Sequence, residues 1–267
     1  MDNRPIGVFD SGLGGLTVVK ELMRVLPEEN IIYFGDTARV PYGSRSRDIV
    51  TQYSSQCIRF LVDRNVKMAV IACNTVSAGS FESLSAMFDL PLIGVIQPGA
   101  LAAVNATQSE RIGVIGTSGT IQSRAYPKVI HKLNPRIQVF DKACTLFVPI
   151  VEEGWSDTKV AYLTAEQYLK DIKNQDVDTL VLGCTHYPFL ANTIATVMGS
   201  GVQLIDPAVN TVELVKRALI DTNGLNGGKE EAEILYYVSD FSQSFQETGS
   251  RFLGRKIAAE CVDVESE

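Results

Sequence analysis

The sequence has few of the residues that build metal centres or disulfide frameworks. It holds two histidines, His131 and His186, and five cysteines, at positions 57, 73, 144, 184 and 261. The cysteine count is odd, the spacings are wide and no Cys-x-x-Cys occurs. A disulfide scaffold and a Cys/His zinc site are therefore both unexpected, and no metal ligands are assigned. No apolar run reaches about 18 residues, so no membrane-spanning helix is expected. The first apolar segment starts at Ile6 and breaks at Asp10, too short for a signal-peptide core, which points to the cytoplasm. Basic charge is not in excess either. A net charge of -7 argues against a nucleic-acid partner or an anionic membrane surface. A local site can still oppose that sign and accept an anionic small molecule. Gly12-Leu13-Gly14-Gly15 lacks the G-x-G-x-x-G spacing and the Gly-Lys-Ser/Thr ending of nucleotide loops. Asp10, just before it, would repel a phosphate.

What the sequence does hold is an alternation of short β-branched apolar runs with segments of helical period. Ile6–Phe9 and Ile31–Phe34 read as buried strands. Further strands are expected at Met68–Ala72, Leu92–Val95, Arg111–Ile115, Thr179–Leu182, Val202–Ile205 and Ile234–Val238. Leu16, Val19, Leu22, Met23 and Leu26 form one helical face that stops at Pro27, and a helix is expected from Asp48 to Asn65. Strands buried on both faces and separated by helices imply an α/β fold with mostly parallel sheets.

The chain also repeats itself in order. Ile6-Gly7-Val8-Phe9-Asp10-Ser11-Gly12 resembles Ile112-Gly113-Val114-Ile115-Gly116-Thr117-Ser118. Ala69–Thr75 around Cys73 resembles Leu180–His186 around Cys184, and Leu92–Pro98 resembles Val202–Pro207. Two similar lobes follow, each a mostly parallel sheet flanked by helices, related by a pseudo-twofold axis with the active site between them. The expected division places 1–98 plus 208–267 in the first lobe, completed by the C-terminal segment, and 99–207 in the second.

Ligands of open α/β sheets bind beyond the carboxyl ends of the strands. That rule selects Asp10 and Ser11, then Cys73, Asn74 and Thr75, then Thr117, and finally Cys184, Thr185 and His186. The two cysteines hold equivalent positions in the repeat, so facing lobes would set two thiols across one cleft. Inverting a carbon stereocentre needs a base on one side and an acid on the other, and a thiolate–thiol pair can supply both. Asp10 and His186 are the candidate helpers. Asn74, Thr75, Thr185 and backbone N–H groups at helix starts could hold carboxylates. Pro41-Tyr42-Gly43, in a loop between a strand and a helix, is a plausible second anchor.

The set Asp10–Thr17, Gly35-Asp36-Thr37, Pro41-Tyr42-Gly43, Ala72-Cys73-Asn74-Thr75 and Gly183–Pro188 closely resembles the glutamate racemases of the aspartate/glutamate racemase family. The resemblance runs motif by motif over nearly the whole chain. It implies a cofactor-independent isomerase that interconverts L- and D-glutamate, supplies D-glutamate for peptidoglycan and forms a homodimer. By position, Cys73 would take the α-proton from D-glutamate and Cys184 from L-glutamate, with Asp10 and His186 assisting. Asp10, Ser11, Pro41, Tyr42, Gly43, Asn74, Thr75, Thr117, Thr120 and Thr185 would contact substrate, and Glu152 would be a further acid near the site. Cys144-Thr145 stands where Cys-Pro is common in the family, and Val76-Ser77-Ala78 where Ala-Thr-Ala or similar is common.

Other roles compete for these residues. Asp10, Ser11, Thr185 and His186 could be helix caps, and Tyr42 could be loop packing. Cys57 reads as core, Cys144 and Cys261 as structural, and His131 as a surface residue. A two-lobed amino-acid binding protein, a thiol-redox protein and an aspartate racemase are the alternative functions.

Overall fold

In a computed structural model of the chain, residues 1–228, 232–240 and 243–264 are described, apart from the side chain of Ser244. The first lobe opens with β1 (Ile6–Asp10), α1 (Leu16–Val25), β2 (Ile31–Gly35), α2 (Arg47–Asp63) and β3 (Met68–Ile71). It continues through α3 (Asn74–Gly79), α4 (Phe81–Met87) and β4 (Leu92–Gly94), after which α5 (Ile96–Ala106) crosses to pack on the second sheet. The second lobe runs through β5 (Arg111–Gly116), α6 (Ser118–Ser123), α7 (Ala125–Leu133), β6 (Gln138–Ala143), α8 (Phe147–Glu152) and α9 (Lys159–Lys173). It ends with β7 (Thr179–Gly183), a 3-10 turn (Tyr187–Leu190), α10 (Ala191–Met198) and β8 (Gln203–Ile205). The chain then returns through α11 (Pro207–Asp221), β9 (Ile234–Val238), α12 (Gln243–Leu253) and β10 (Ala259–Cys261).

Among the described residues every strand pairing is parallel. The first sheet has the order β10-β9-β2-β1-β3-β4 and the second β6-β5-β7-β8. The four-strand pattern β2-β1-β3-β4 recurs as β6-β5-β7-β8, so the repeat in the sequence is a repeat of topology. In each sheet the connection reverses direction beside the first strand, between β1 and β3 or between β5 and β7. A crevice opens there at the carboxyl ends.

Strand periodicity explains the burial. Ile6 and Val8 enter a core with Leu16, Val19 and Val212, whereas Phe9 enters the opposite core with Phe34, Ile58 and Ile71. The second sheet divides in the same way. Ile112 and Val114 pack toward α5 and α7, and Ile115, Leu180 and Leu182 toward α9 and α10. With both faces covered, the central strands become continuous apolar runs. At the junction α5 lies against α11, and a Cβ on Gly99 would sit 3.0 Å from Pro207.

Two strands escape the sequence reading, β6 and β10, and both are edge strands. β6 carries Gln138, Asp141 and Lys142 because only part of it is buried, and β10 is three residues long. α2 starts one residue earlier and ends two earlier than expected, with Ile49 N donating to the Ser46 side chain at 3.4 Å. Cys261, read as structural, is exposed on β10. Among the described residues no helix is long and apolar enough to cross a membrane.

Candidate active site

The loops after β1, β2, β3, β5 and β7 converge on one cavity of about 420 Å³. That is within the range of about 300–1,000 Å³ usual for small-molecule pockets. Its walls include Ser11, Pro41, Tyr42, Gly43, Cys73, Asn74, Thr75, Thr117, Glu152, Cys184, Thr185 and His186. Cys73 comes from the first lobe and Cys184 from the second. All five cysteines are free thiols. A second cavity, of about 450 Å³, is lined by Arg47, Phe81, Pro98 and Lys128 among others and contains neither a cysteine nor a histidine. Chemistry rather than volume therefore marks the site.

Two residues expected to touch substrate do not line the cavity. Asp10 is fully buried behind it, and Thr120 is 2% exposed. Asp10 ends β1, where its carboxylate accepts from Gly12 N at 3.0 Å and from Thr185 Oγ1 at 3.4 Å. The first bond folds the glycine turn around the carboxyl group, and the second crosses to the other lobe. Thr120 acts through Thr117. Its Oγ1 lies 3.0 Å from Thr117 Oγ1, which lies 2.8 Å from Thr75 Oγ1 of the first lobe.

The glycine turn has a steric reason. A Cβ on Gly14 would collide with the Thr185 side chain and lie 2.7 Å from His186 Nδ1. Only glycine lets this turn approach the residues after β7 so closely. Gly43 serves the same end on the opposite wall. A Cβ there would be 2.7 Å from Thr117 Cβ, and its carbonyl accepts from Gly119 N at 2.9 Å.

Tyr42 lines the cavity, but its hydroxyl is already engaged, donating to Asp36. Buried Asp36 also accepts from Arg39 Nε at 2.8 Å and from Ser239 Oγ at 2.7 Å. Tyr42 can therefore offer substrate only its ring and backbone. Asp36 was visible in sequence as part of Gly35-Asp36-Thr37, although no role followed from the motif. Leu146, Val148 and Pro149, which with Thr145 complete the wall before Glu152, gave no signal in the sequence, and Thr145 stood out only as a departure from the family's Cys-Pro.

The surroundings of the two thiols differ. Cys73 Sγ lies 3.5 Å from Ser11 Oγ. Burial, and secondarily the Asp10 charge, push its thiol up to about 12, although the Ser11 hydroxyl works the other way. Cys184 Sγ lies 3.9 Å from His186 Nδ1, and His186 Nε2 lies 3.2 Å from Glu152 Oε1. Burial disfavours the imidazolium, but the hydrogen bonds with Cys184 and Glu152 prevail and push His186 up to about 10. Burial raises Asp10 above the ordinary carboxyl range, against the opposing pull of the His186 charge and the N–H groups of Gly12 and Gly15. No lysine or arginine lines the cavity among the described residues. Apart from the His186 imidazolium, an anionic ligand would meet neutral N–H and O–H donors.

Fold and site together define a two-lobed α/β protein with one thiol from each lobe in a shared cleft. A sequence profile described as Asp/Glu/Hydantoin racemase matches residues 6–215. The glutamate racemase of Geobacter metallireducens is 50% identical over 254 residues, spanning 95% of this chain and 94% of its own. That of Streptococcus pneumoniae serotype 19F is 46% identical over 266 residues, spanning 99% and 100%. The crystal structure of glutamate racemase from Francisella tularensis in complex with D-glutamate superimposes with a TM-score of 0.94, at 41% identity and over 100% of both chains. The chain belongs to the Asp/Glu/Hydantoin racemase family.

Proposed function

We propose that this chain is a glutamate racemase that inverts Cα without a cofactor, using Cys73 and Cys184 as the two proton-transfer groups. The observation that carries this is one thiol from each lobe on the walls of a single cavity. Inversion needs removal of the α-proton from one side and delivery from the other, and a lone base tends to return the proton to the side it came from. The glutamate racemases similar to this chain supply the substrate, and the D-glutamate bound in the Francisella tularensis structure supports it.

At neutral pH Cys73 carries its proton and His186 is an imidazolium. The imidazolium lies beside Cys184 Sγ, where it balances negative charge on that sulfur. With L-glutamate, Cys184 takes the α-proton and Cys73 delivers its own to the opposite face. With D-glutamate the roles exchange: Cys73 first gives up its proton, by way of buried Asp10 or solvent, His186 passes its proton to Cys184, and Cys73 then takes the α-proton while Cys184 delivers its own to the opposite face. Asn74, Thr75, Thr117 and Thr185 offer neutral donors to the carboxylates. The product would feed peptidoglycan assembly in the cytoplasm. A homodimer belongs to the same proposal. Leu146, Trp155, Val160 and Leu163, exposed on the second lobe, are apolar surface that a dimer could cover.

The test is incubation with L- or D-glutamate in heavy water without added cofactor, following deuterium at Cα by NMR together with optical rotation. Both enantiomers should reach the racemate with deuterium at Cα. No exchange with either enantiomer refutes the assignment, and faster turnover of L-aspartate would move it to the aspartate branch of the family.

A further inference from the structure

Each cysteine is followed by a polar residue that hydrogen-bonds to the opposite lobe. After Cys184, Thr185 donates to Asp10. After Cys73, Asn74 Oδ1 accepts from Tyr126 Oη at 2.7 Å. Tyr126 lies on α7 of the second lobe and is 1% exposed. Its ring covers Gly183, where an added Cβ would be 3.1 Å from Cε2, and its hydroxyl would be 3.3 Å from a Cβ on Gly99. The phenol therefore sits where the lobes meet, between the residue preceding Cys184 and the residue following Cys73.

An asparagine amide has an acceptor end and a donor end, and fixing one decides what the other presents. Burial holds the Tyr126 phenol well above its ordinary value, so it stays protonated; turned toward Nδ2 it would leave its own O–H without an acceptor, so it donates to Oδ1. With Oδ1 taken by Tyr126, Nδ2 is the end left for the cavity that Asn74 lines. Nδ2 is not among the buried polar atoms lacking a partner. The orientation matters because no lysine or arginine lines this cavity among the described residues. A flipped amide would set a carbonyl oxygen against a substrate carboxylate, with no lysine or arginine there to offset it.

We propose that Tyr126 is a positioning residue: across the lobe junction, its hydroxyl fixes the Asn74 carboxamide so that Nδ2 faces the cavity as a donor to a substrate carboxylate. This rests on the racemase function proposed above. Substrate affinity then depends on the docking of the two lobes, because the group that orients a first-lobe donor belongs to the second lobe.

The experiment is a double-mutant cycle in the full chain with Tyr126→Phe, Asn74→Ala and the pair, measuring KM and kcat for both enantiomers and Tm. Tyr126→Phe keeps the ring packing and removes one hydroxyl. It should raise KM for L- and D-glutamate about tenfold, change kcat by less than about threefold and leave Tm nearly unchanged. Added to Asn74→Ala, it should cost nothing further. An unchanged KM, a fall confined to kcat, or an equal KM increase in the Asn74→Ala background overturns the proposal. Asn74→Asp keeps the acceptor for Tyr126 and replaces the donor, so it serves even if Tyr126→Phe fails to fold. It should raise KM more than Tyr126→Phe does, and a normal KM overturns the proposal. A wild-type chain that does not racemise glutamate overturns the function itself, whereas an active wild type with a normal Tyr126→Phe overturns only this role.

Discussion

The Cys73 half of the site and the Cys184 half occupy equivalent places in two equivalent sheets, yet they are different chemical environments. Cys184 has a histidine 3.9 Å away, and that histidine has a glutamate 3.2 Å away. Cys73 has the Ser11 hydroxyl and the Val76 backbone N–H within reach and a buried carboxyl group behind it. One half sets a histidine held as its imidazolium beside the sulfur, and the other holds the proton on its thiol by burial and the Asp10 charge. A duplicated topology has thus kept the positions of the two thiols while their helpers diverged. Asp10 does not belong to one half alone. It raises Cys73, but it accepts a hydrogen bond from Thr185 and feels the charge of His186.

The largest effect expected from this asymmetry comes from deleting one thiol at a time. Cys73→Ala and Cys184→Ala should each lower racemisation by at least about 10³-fold, since the proposed two-thiol scheme needs both groups. They should not be equivalent in heavy water. Cys73→Ala keeps Cys184 and should slowly exchange the α-proton of L-glutamate without inverting it. Cys184→Ala should do so only with D-glutamate. NMR of the α-proton combined with chiral chromatography separates the two results. Retained racemisation in either variant, or exchange of the wrong enantiomer, breaks the assignment of sides.

Substitution of the helpers should act less strongly, at about 10²-fold. Racemisation has an equilibrium constant of unity, so kcat/KM must fall equally in both directions whichever helper is lost. The asymmetry must be sought in isotope effects. His186→Asn slows the transfer between Cα and Cys184. That transfer is the first step from L-glutamate and the second from D-glutamate. Substrate deuterated at Cα should then show a large primary effect as the L-enantiomer and a small one as the D-enantiomer. Asp10→Asn should reverse the pattern if its action is on Cys73. The same pattern in both variants would instead assign Asp10 to the Cys184 half, where its bond to Thr185 already points.

Much of this architecture was legible because it rests on local signals. Buried parallel strands must be apolar throughout, so Ile6–Phe9 and Thr179–Leu182 stand out, and the repeat around Cys73 and Cys184 identifies the third strand of each sheet. The edge strands β6 and β10 were not legible, because half-exposed residues such as Lys142 and Glu260 carry no strand pattern. The site was legible where residues directly follow a strand, as with Cys73-Asn74-Thr75. It was not legible where role depends on a distant partner. Tyr42 looks like a binding hydroxyl until it is seen to donate to Asp36, the buried carboxylate that also accepts from Ser239. Gly14 looks like a flexible turn until His186 is found against it. Tyr126, more than fifty positions from Asn74, gave no sequence signal at all.

The smallest expected effect is on stability, and it tests whether the Cys184 half holds charge in the absence of substrate. In an unfolded chain an imidazole titrates near ~6.5. In the fold His186 is pushed up to about 10. Between these values the native protein keeps a proton that the unfolded chain has lost. The stabilisation is therefore complete below the lower value and declines as pH rises toward the upper one. Wild-type Tm should fall across this alkaline window, with His186 contributing part of the slope. His186→Asn cannot contribute it, so its Tm should fall less steeply. Glu152→Gln, which removes one of the two partners raising His186, should lie between them. Calorimetry at a series of pH values reads the three slopes. Equal slopes would mean that His186 is not held as an imidazolium, and the contrast between the two halves would then reduce to the difference between a serine and a neutral histidine.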